Sequence, residues 1–247
     1  MRSIHYLLTT GAVLLVAGGL LRAASADASE QNRIIEGMMR RQTAQQEAIL
    51  SYTRVQHYSV TSARFRAKAE REVRIHSDPV KGKSYEIVSR SGSTVIQNRV
   101  LDGLLEAEIA SSQGSELLTL ANYSFHLLGQ EVLGGGNCYL LETDPKHKDK
   151  RLLKGRIWLD AEDFSVIRVE GRPSESLSFW VGKPVIVRDY TRIAGYTWAT
   201  RAHSHIDNLL LGKSELVIEY RDYQFEFKHP QGLPTPQPKP GPARLKK

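Results

Sequence analysis

A single cysteine, Cys138, is all the thiol this 247-residue chain carries. No intramolecular disulfide can form, and neither a disulfide-stapled scaffold nor a cysteine-ligated zinc site is available. Catalytic signatures are missing too. There is no Gly-x-Ser-x-Gly elbow and no His-Glu-x-x-His helix. The triple glycine Gly134 to Gly136 is followed by no Gly-Lys-Ser/Thr, so it reads as a hairpin turn and not as a phosphate cradle. Long hydrophobic runs are also scarce. The longest, Leu7 to Leu21, falls short of the about 20 residues that cross a bilayer as a helix. Charge is nearly balanced, with 34 basic and 27 acidic residues giving +7. An excess that small does not argue for nucleic acid.

What is present begins with a leader. Arg2 and His5 make a short positive start, Leu7 to Leu21 is the apolar stretch, and Ala24-Ser25-Ala26 supplies a small-x-small cleavage site before Asp27. Residues 1–26 are therefore expected to be a signal peptide cleaved after Ala26, giving an exported, soluble protein. No cysteine lies near that site, so no lipid is attached there. Loss of Arg2 and Arg22 lowers the net charge from +7 to +5. With 40% hydrophobic and 25% charged residues, the remainder is an ordinary globular composition, long enough to bury a core without cross-links.

Periodicity orders the rest. Ile34, Ile35, Met38, Met39, Ala48, Ile49 and Leu50 form an apolar stripe that predicts a helix over 29–51, capped by Asp27 or Ser29. Alternation predicts strands at 52–61, 65–77 and 84–90, where charges such as Arg64, Arg66, Lys68, Glu70, Arg71, Glu72 and Arg74 suit solvated or edge positions. Val95, Leu101, Leu104, Leu105 and Ile109 mark a helix over 93–112 behind a Ser93 or Thr94 cap, and 115–121 a further short one. Strands follow at 122–133 and 137–143. The segment Gly155 to Pro173 then reads as two strands around the acidic turn Ala161 to Asp163, the second starting at Phe164 and stopped by Gly171 and Pro173. Further strands are expected at 176–181, 185–193, 196–207 and 214–227. In the last of these the apolar phase slips at Arg221 and Asp222, as a β-bulge would cause. Residues 229–247 hold six prolines and end in a basic run, a composition that builds no core and predicts a disordered tail.

Candidate chemistry is thin. His203, His205 and Asp207 share a strand face at metal-ligand spacing, but Thr197 and Arg201 lie on that same face, which reads as the wet side of the sheet. Asp160, Glu162 and Asp163 are carboxylates at an exposed hairpin tip, where the shifted pKa of acid–base work is seldom acquired. Cys138 sits in an apolar strand as a small core residue, and the basic stretch Asp144 to Arg151 reads as a solvated loop. These residues predict no enzyme.

Four segments carry a resemblance: NYSFHLLGQEVLGGGNCYLLETDPK (Asn122 to Lys146), LLKGRIWLDAEDFSVIRVEGRP (Leu152 to Pro173), SLSFW (Ser176 to Trp180) and ELVIEYRDYQF (Glu215 to Phe225). With the order of elements, they resemble the LolA/LolB-like family of periplasmic lipoprotein carriers, to which the lipid-sensing domain of the regulator RseB is related. The resemblance implies an α+β fold over 27–228, an incomplete antiparallel β-barrel of about eleven strands with a helical lid across its open side. It implies no cofactor and no metal, a periplasmic location, and a cavity for the acyl chains of a lipoprotein or lipid. Its partners would be an inner-membrane donor and an outer-membrane acceptor, with no nucleic acid. The expected lining is Ile157, Leu159, Leu177, Phe179, Val181, Tyr196, Trp198, Ile206, Leu216 and Ile218 from the sheet. Met38, Met39, Leu101, Leu104 and Leu105 would come from the lid. Burial gains about 0.8 kcal/mol per methylene, so a chain of about 14 carbons offers about 10 kcal/mol before ordering costs, with no polar signature needed. The second reading is a sensor that couples lipid occupancy to a protein partner through the tail and the loop 146–151.

Overall fold

The computed structural model describes residues 12–64, 66–110, 118–177, 182–208 and 212–228, with side chains from residue 28. A long helix, α1 (Ala12–Ala48), leads without a break into β1 (Ile49–Ser62), followed by β2 (Ala67–Asp78) and β3 (Gly82–Gly92). A helical segment then folds as α2 (Thr94–Ile96), a π-helical turn (Gln97–Leu101) and α3 (Asp102–Ala110). Seven further strands follow among the described residues: β4 (Tyr123–Leu133), β5 (Gly136–Pro145), β6 (Leu153–Asp160), β7 (Val166–Pro173), β8 (Val185–Ile193), β9 (Tyr196–Asn208) and β10 (Gly212–Phe227).

All ten strands form one antiparallel sheet in the order β3-β2-β1-β10-β9-β8-β7-β6-β5-β4. The first and last strands therefore meet in the middle, and the two edges, β3 and β4, are the strands that flank the α2–α3 segment in sequence. That connection has to cross the sheet's open side, which is what makes a lid of it. The sheet is an incomplete barrel, as expected. Of the strand expected at 176–181, residues 178–181 lie outside the described residues and 176–177 are not in a strand. Residues 111–117, the end of the helix expected over 93–112 and the start of the short one expected over 115–121, are also outside. Residues 118–122 form an irregular turn and not a helix, drawn up by the hydrogen bonds of the Asn122 and Tyr123 N–H groups to the Thr119 carbonyl. Residues 1–11 of the leader and the tail from 229 lie outside as well.

Two apolar clusters lie under the two helical covers. Under α1, Ile34, Ile35 and Met38 pack on Leu141, Leu152, Ile157 and Leu159, all at most 3% exposed. Under α2–α3, Ile96, Val100, Leu101 and Leu105 pack on Val60, Ala69, Val73, Ile75, Ile206 and Leu216. Burying each such aliphatic side chain contributes about 1.5–3 kcal/mol. Gly155 and Gly171 face each other across β6 and β7. A Cβ on either would meet the partner strand's carbonyl, at 2.0 Å from Glu170 O or 2.6 Å from Lys154 O. Glycine at both lets the two backbones come that close.

Several boundaries differ from the sequence reading. The helix α1 runs straight through Asp27 and Ser29, so neither caps it. It ends at Ala48 because Ile49 is drawn into the ladder opposite Phe227, and the Ala48 carbonyl accepts from the Lys228 backbone N–H at 2.9 Å. Phe164 belongs to the turn, with φ 61°, so its ring swings onto α1 over Gly37, where any Cβ would clash at 2.4 Å. The strand β7 continues through Gly171 to Pro173. Ser93 does cap α2, accepting from the Ile96 N–H at 3.5 Å. Val95 points outward at 49% exposure, while Ile96 and Val100 are buried, because the π-helical turn inserts a residue and rotates the apolar face.

Arg71 is the main correction among the β2 charges. It alternates with Ala69, Val73 and Ile75 on the core face and is 1% exposed. Its Nε donates to Gln97 Oε1 at 2.8 Å, Nη1 to Asp102 Oδ1 at 2.6 Å and Nη2 to the Gln97 carbonyl at 3.3 Å. The Gln97 amide in turn donates to the Glu70 and Ser91 carbonyls, both at 2.8 Å. A guanidinium is tolerated inside because the π-helical turn supplies its acceptors. The lid is thereby fastened to β2.

Candidate functional site: a cavity between sheet and lid

Between the two apolar clusters the sheet is not filled. A cavity of about 320 Å³ lies over its central strands. One wall is α1 (Met38, Arg41, Gln42, Gln45), the other is α3 (Glu108) with Leu118. The floor comes from β1 (Tyr52, Arg54), β7 (Val166, Val169), β8 (Arg188, Tyr190), β9 (Thr197, Trp198, Ala199) and β10 (Tyr220), with Lys83 of β3 also in the lining. Its size falls at the lower end of small-molecule sites.

The apolar part is aromatic. Trp198 meets Tyr52 edge-on at 5.0 Å, Tyr223 at 5.2 Å and Phe225 at 4.8 Å between ring centroids. The bulge in β10 sets this up. Thr53 pairs with Gln224 but Val55 with Arg221, so Asp222 and Tyr223 together oppose one residue of β1, with Asp222 at φ 53°. The slip at Arg221 and Asp222 is that bulge. It carries Tyr223 inward, where its hydroxyl donates to the Ala199 carbonyl at 2.8 Å. The buried Trp198 indole N–H has no acceptor among the described residues.

The polar part centres on Arg54. Its guanidinium lies 5.0–5.9 Å from the ring centroids of Tyr220, Tyr52 and Tyr223, and Nη2 donates to Glu108 Oε1 at 2.9 Å. Arginine has no acceptor, so the Gln56 amide is oriented with its oxygen toward it, accepting from Nε at 2.9 Å and from Nη2 at 2.6 Å while its nitrogen donates to the Tyr58 hydroxyl. Lys83 Nζ donates to the same Glu108 oxygen at 3.1 Å. Burial works against both charged partners. Their mutual attraction prevails, holding Glu108 below the usual carboxylate range and Arg54 above its ordinary value. Burial also raises Tyr58 and Tyr220, and pushes Tyr223 up to about 12, so these phenols stay neutral.

Polar ties hold α1 over this space. Gln42 and Leu118 exchange hydrogen bonds of 3.1 and 3.0 Å, and Gln45 donates to the Thr197 carbonyl at 3.0 Å. Arg41 reaches Asp163, with Nη2 2.7 Å from Oδ2 and Nε 3.0 Å from the carbonyl oxygen, and Arg192 adds a second contact to Oδ2. The acidic turn is therefore a clasp. Asp160 spends its side chain on the N–H groups of Glu162 and Asp163, at 2.8 and 3.2 Å. Asp163 is only 13% exposed, against the expected open tip. Burial pushes the Asp163 carboxyl up, but Ser165, Arg41 and Arg192 outweigh it and leave the pKa low. A depressed carboxylate contributes stability that is present above the ordinary value near 4 and is lost as pH falls through the folded value. Asp163→Asn is expected to cost about 1–2 kcal/mol at neutral pH. It should also flatten the fall of Tm between pH 5 and pH 3 in thermal unfolding; an unchanged acid limb would remove Asp163 from that role.

The expected lining residues divide. Met38 and Trp198 line the cavity. Ile157 and Leu159, with Met39 partly covered, lie in the cluster beneath α1. Leu101, Leu105, Ile206 and Leu216, with Leu104 and Ile218 at its rim, form the cluster beneath α3, and Leu177 touches both. Tyr196 lies tilted against Phe227, 6.3 Å between ring centroids, while Phe179 and Val181 lie outside the described residues. Missed from the sequence were Arg54, Lys83, Glu108 and Arg188. On β9, His203 pairs with Glu215 at 2.7 Å on a partly exposed face. Among the described residues no group of three or more His, Cys, Asp or Glu could hold a metal, and no helix is long and apolar enough to cross a membrane. Cys138 is fully buried, and burial raises its thiol pKa.

No protein-family model matches the chain, and no curated protein matches it. Solved structures to which it is similar include a DUF1329 family protein from Desulfovibrio piger, at 13% identity over 79% of this chain and 92% of the other, with a TM-score of 0.40. A domain assigned to outer membrane lipoprotein sorting, from Vibrio parahaemolyticus, is similar at 13% identity over 78% and 92%, with a TM-score of 0.41. A LolA superfamily protein from Nitrosomonas europaea is similar at 13% over 79% and 93%, with a TM-score of 0.40.

Proposed function

We propose that this chain is an exported binding protein that holds the acyl chain of a lipoprotein or another lipid under its lid and carries it across the periplasm. The leader would be removed after Ala26. An inner-membrane donor would load the cavity, and an outer-membrane acceptor would empty it. The observation that carries this reading is the cavity of about 320 Å³, with Trp198, Tyr190, Val166 and Val169 among the aromatic and aliphatic side chains of its floor, beside Arg54 and Arg188, and with α1 and α3 as its walls. Nothing in the arrangement needs a reacting group. Asp160 and Asp163 are engaged in the clasp, and the His203 ring is engaged with Glu215.

Native mass spectrometry of the mature protein, followed by organic extraction, tests the proposal. A bound fatty acid or phospholipid is expected in the native peak, released on denaturation. A chain that carries no lipid, and that binds none of the 16-carbon amphiphiles offered to it, would end the acyl-chain reading.

A further inference from the structure

Antiparallel order sends every second connection to the same end of the sheet. One end carries residues 63–66, 146–152, 174–184 and 209–211, which link β1 to β2, β5 to β6, β7 to β8 and β9 to β10. These four connections hold seven Lys or Arg residues against the acids Asp149 and Glu175. The opposite end carries residues 79–81, 134–135, 161–165 and 194–195, with Lys81 against Glu162 and Asp163. The strand connections at the two ends of one sheet thus differ in sign.

The positive end is broad. Arg66, Lys68 and Lys213 line an open cleft of about 540 Å³ beside the β1–β2 connection. Lys148 and Lys150 stand on the β5–β6 connection, six strand spacings away, about 29 Å measured along the sheet. All five are exposed, and the side chains of Arg66, Lys148, Lys150 and Lys213 make no hydrogen bond or ion pair among the described residues. Acids at this end are taken up one by one, Glu70 by Lys68, Asp144 by Lys154 and Asp149 by Arg151. Leu120, whose carbonyl accepts from Lys146 Nζ at 2.6 Å, adds an apolar side chain that is 49% exposed. The connection 209–211 adds no charge, its sequence being Leu209-Leu210-Leu211.

A small anion needs several donors converging on one point. Cations spread over about 29 Å instead suit an extended surface of negative charge, where every Lys or Arg adds to the attraction and no single position is critical. We propose that this end of the sheet docks on an anionic lipid bilayer, with Arg66, Lys213, Lys148 and Lys150 against the head groups. Arg151 of the same β5–β6 connection also lines the cavity, so docking brings the bilayer to the cavity's edge. The inference stands apart from the acyl-chain reading. Extracted cargo bears only on the cavity and vesicle binding only on this surface, so either can fail alone.

Flotation of the mature chain with vesicles of phosphatidylcholine, alone or mixed with phosphatidylglycerol, tests the proposal. Partition onto the mixed vesicles is expected to exceed that onto phosphatidylcholine by at least about tenfold. It should collapse in about 1 M salt, where charges are screened within about 3 Å. Lys148→Glu combined with Lys150→Glu should cut it by about tenfold or more, since each cation near such a surface is worth about fivefold. Arg66→Glu combined with Lys213→Glu should do the same from the other connection, and the wild-type comparison needs no variant to fold. Lys81→Glu at the opposite end should change partition by less than about twofold. Equal partition onto the two kinds of vesicle, or an equal loss with Lys81→Glu, would overturn the proposal. Loss of binding on removal of residues 229–247, with both pairs of variants unaffected, would overturn it by placing the contact on the tail. Poly-glutamate bound as tightly as the mixed vesicles would overturn it in favour of an acidic protein partner.

Discussion

Trp198→Ala is expected to cost about 3–5 kcal/mol, the range for emptying a buried tryptophan site. Domain stabilities run to only about 5–15 kcal/mol. The upper end applies because the site cannot collapse. Trp198 is 8% exposed, its ring is enclosed by Tyr52, Tyr223 and Phe225, and its remaining side adjoins the cavity. Removing it joins a new void to an existing one, and β9, β10 and β1 share the loss because each contributes a ring. Trp198→Phe separates packing from polarity. It keeps an aromatic ring among the three partners and removes a buried N–H that has no acceptor among the described residues, so its cost should stay within about 1.5 kcal/mol. Urea unfolding followed by circular dichroism checks both variants. An alanine variant within 1 kcal/mol of wild type would mean the ring cluster does not hold the floor of the cavity.

The apolar side of this architecture was legible from the sequence, and the polar side was not, for one reason. Period-two alternation places Trp198 with Ala202 and Ile206 on one face, and all three are buried. The same rule applied to β1 would have put Arg54 in phase with Tyr52, Gln56, Tyr58 and Val60, and applied to β2 would have put Arg71 in phase with Ala69, Val73 and Ile75. A charged side chain in a strand is usually solvated, so the phase alone does not place either arginine inside. Whether a buried guanidinium is tolerable depends on acceptors distant in sequence: Glu108 for Arg54, Gln97 and Asp102 for Arg71. Their arrival follows from the edge-to-edge crossing of the lid, a property of topology and not of any local window. The bulge at Asp222 was readable because a change of apolar phase is itself local. The turn at Phe164 was not, since what its ring packs on, α1 at Gly37, is distant in sequence.

Arg71→Met is the sharpest test of how the lid is held. The substitution keeps an unbranched chain in the slot between Ala69 and Val73 but removes the donors to Gln97 Oε1, the Gln97 carbonyl and Asp102 Oδ1. Removing one partner of a fully buried ion pair costs about 3–5 kcal/mol. Here Asp102 is 45% exposed and regains water, and the Gln97 carbonyl keeps the Asp102 backbone N–H, so the expected loss is about 2–3 kcal/mol, arising mainly from the stranded Gln97 Oε1. The loss should be local. The cluster beneath α1 shares no hydrogen bond with Arg71, whereas Ile96, Val100, Leu101 and Leu105 stay seated only while the π-helical turn is fastened to β2. In hydrogen exchange, amides of residues 94–110 should therefore lose protection by ten- to hundredfold, the equivalent of about 1.4–2.8 kcal/mol. Those of β5 and β6 should change little. Arg71→Lys should recover only part of the protection, because an ammonium is a point charge and cannot serve Gln97 and Asp102 through a planar fork. Uniform loss of protection across all ten strands would mean that lid and sheet unfold as one unit. In that case, exchange of cargo through a separately opening lid would have no basis in this fold.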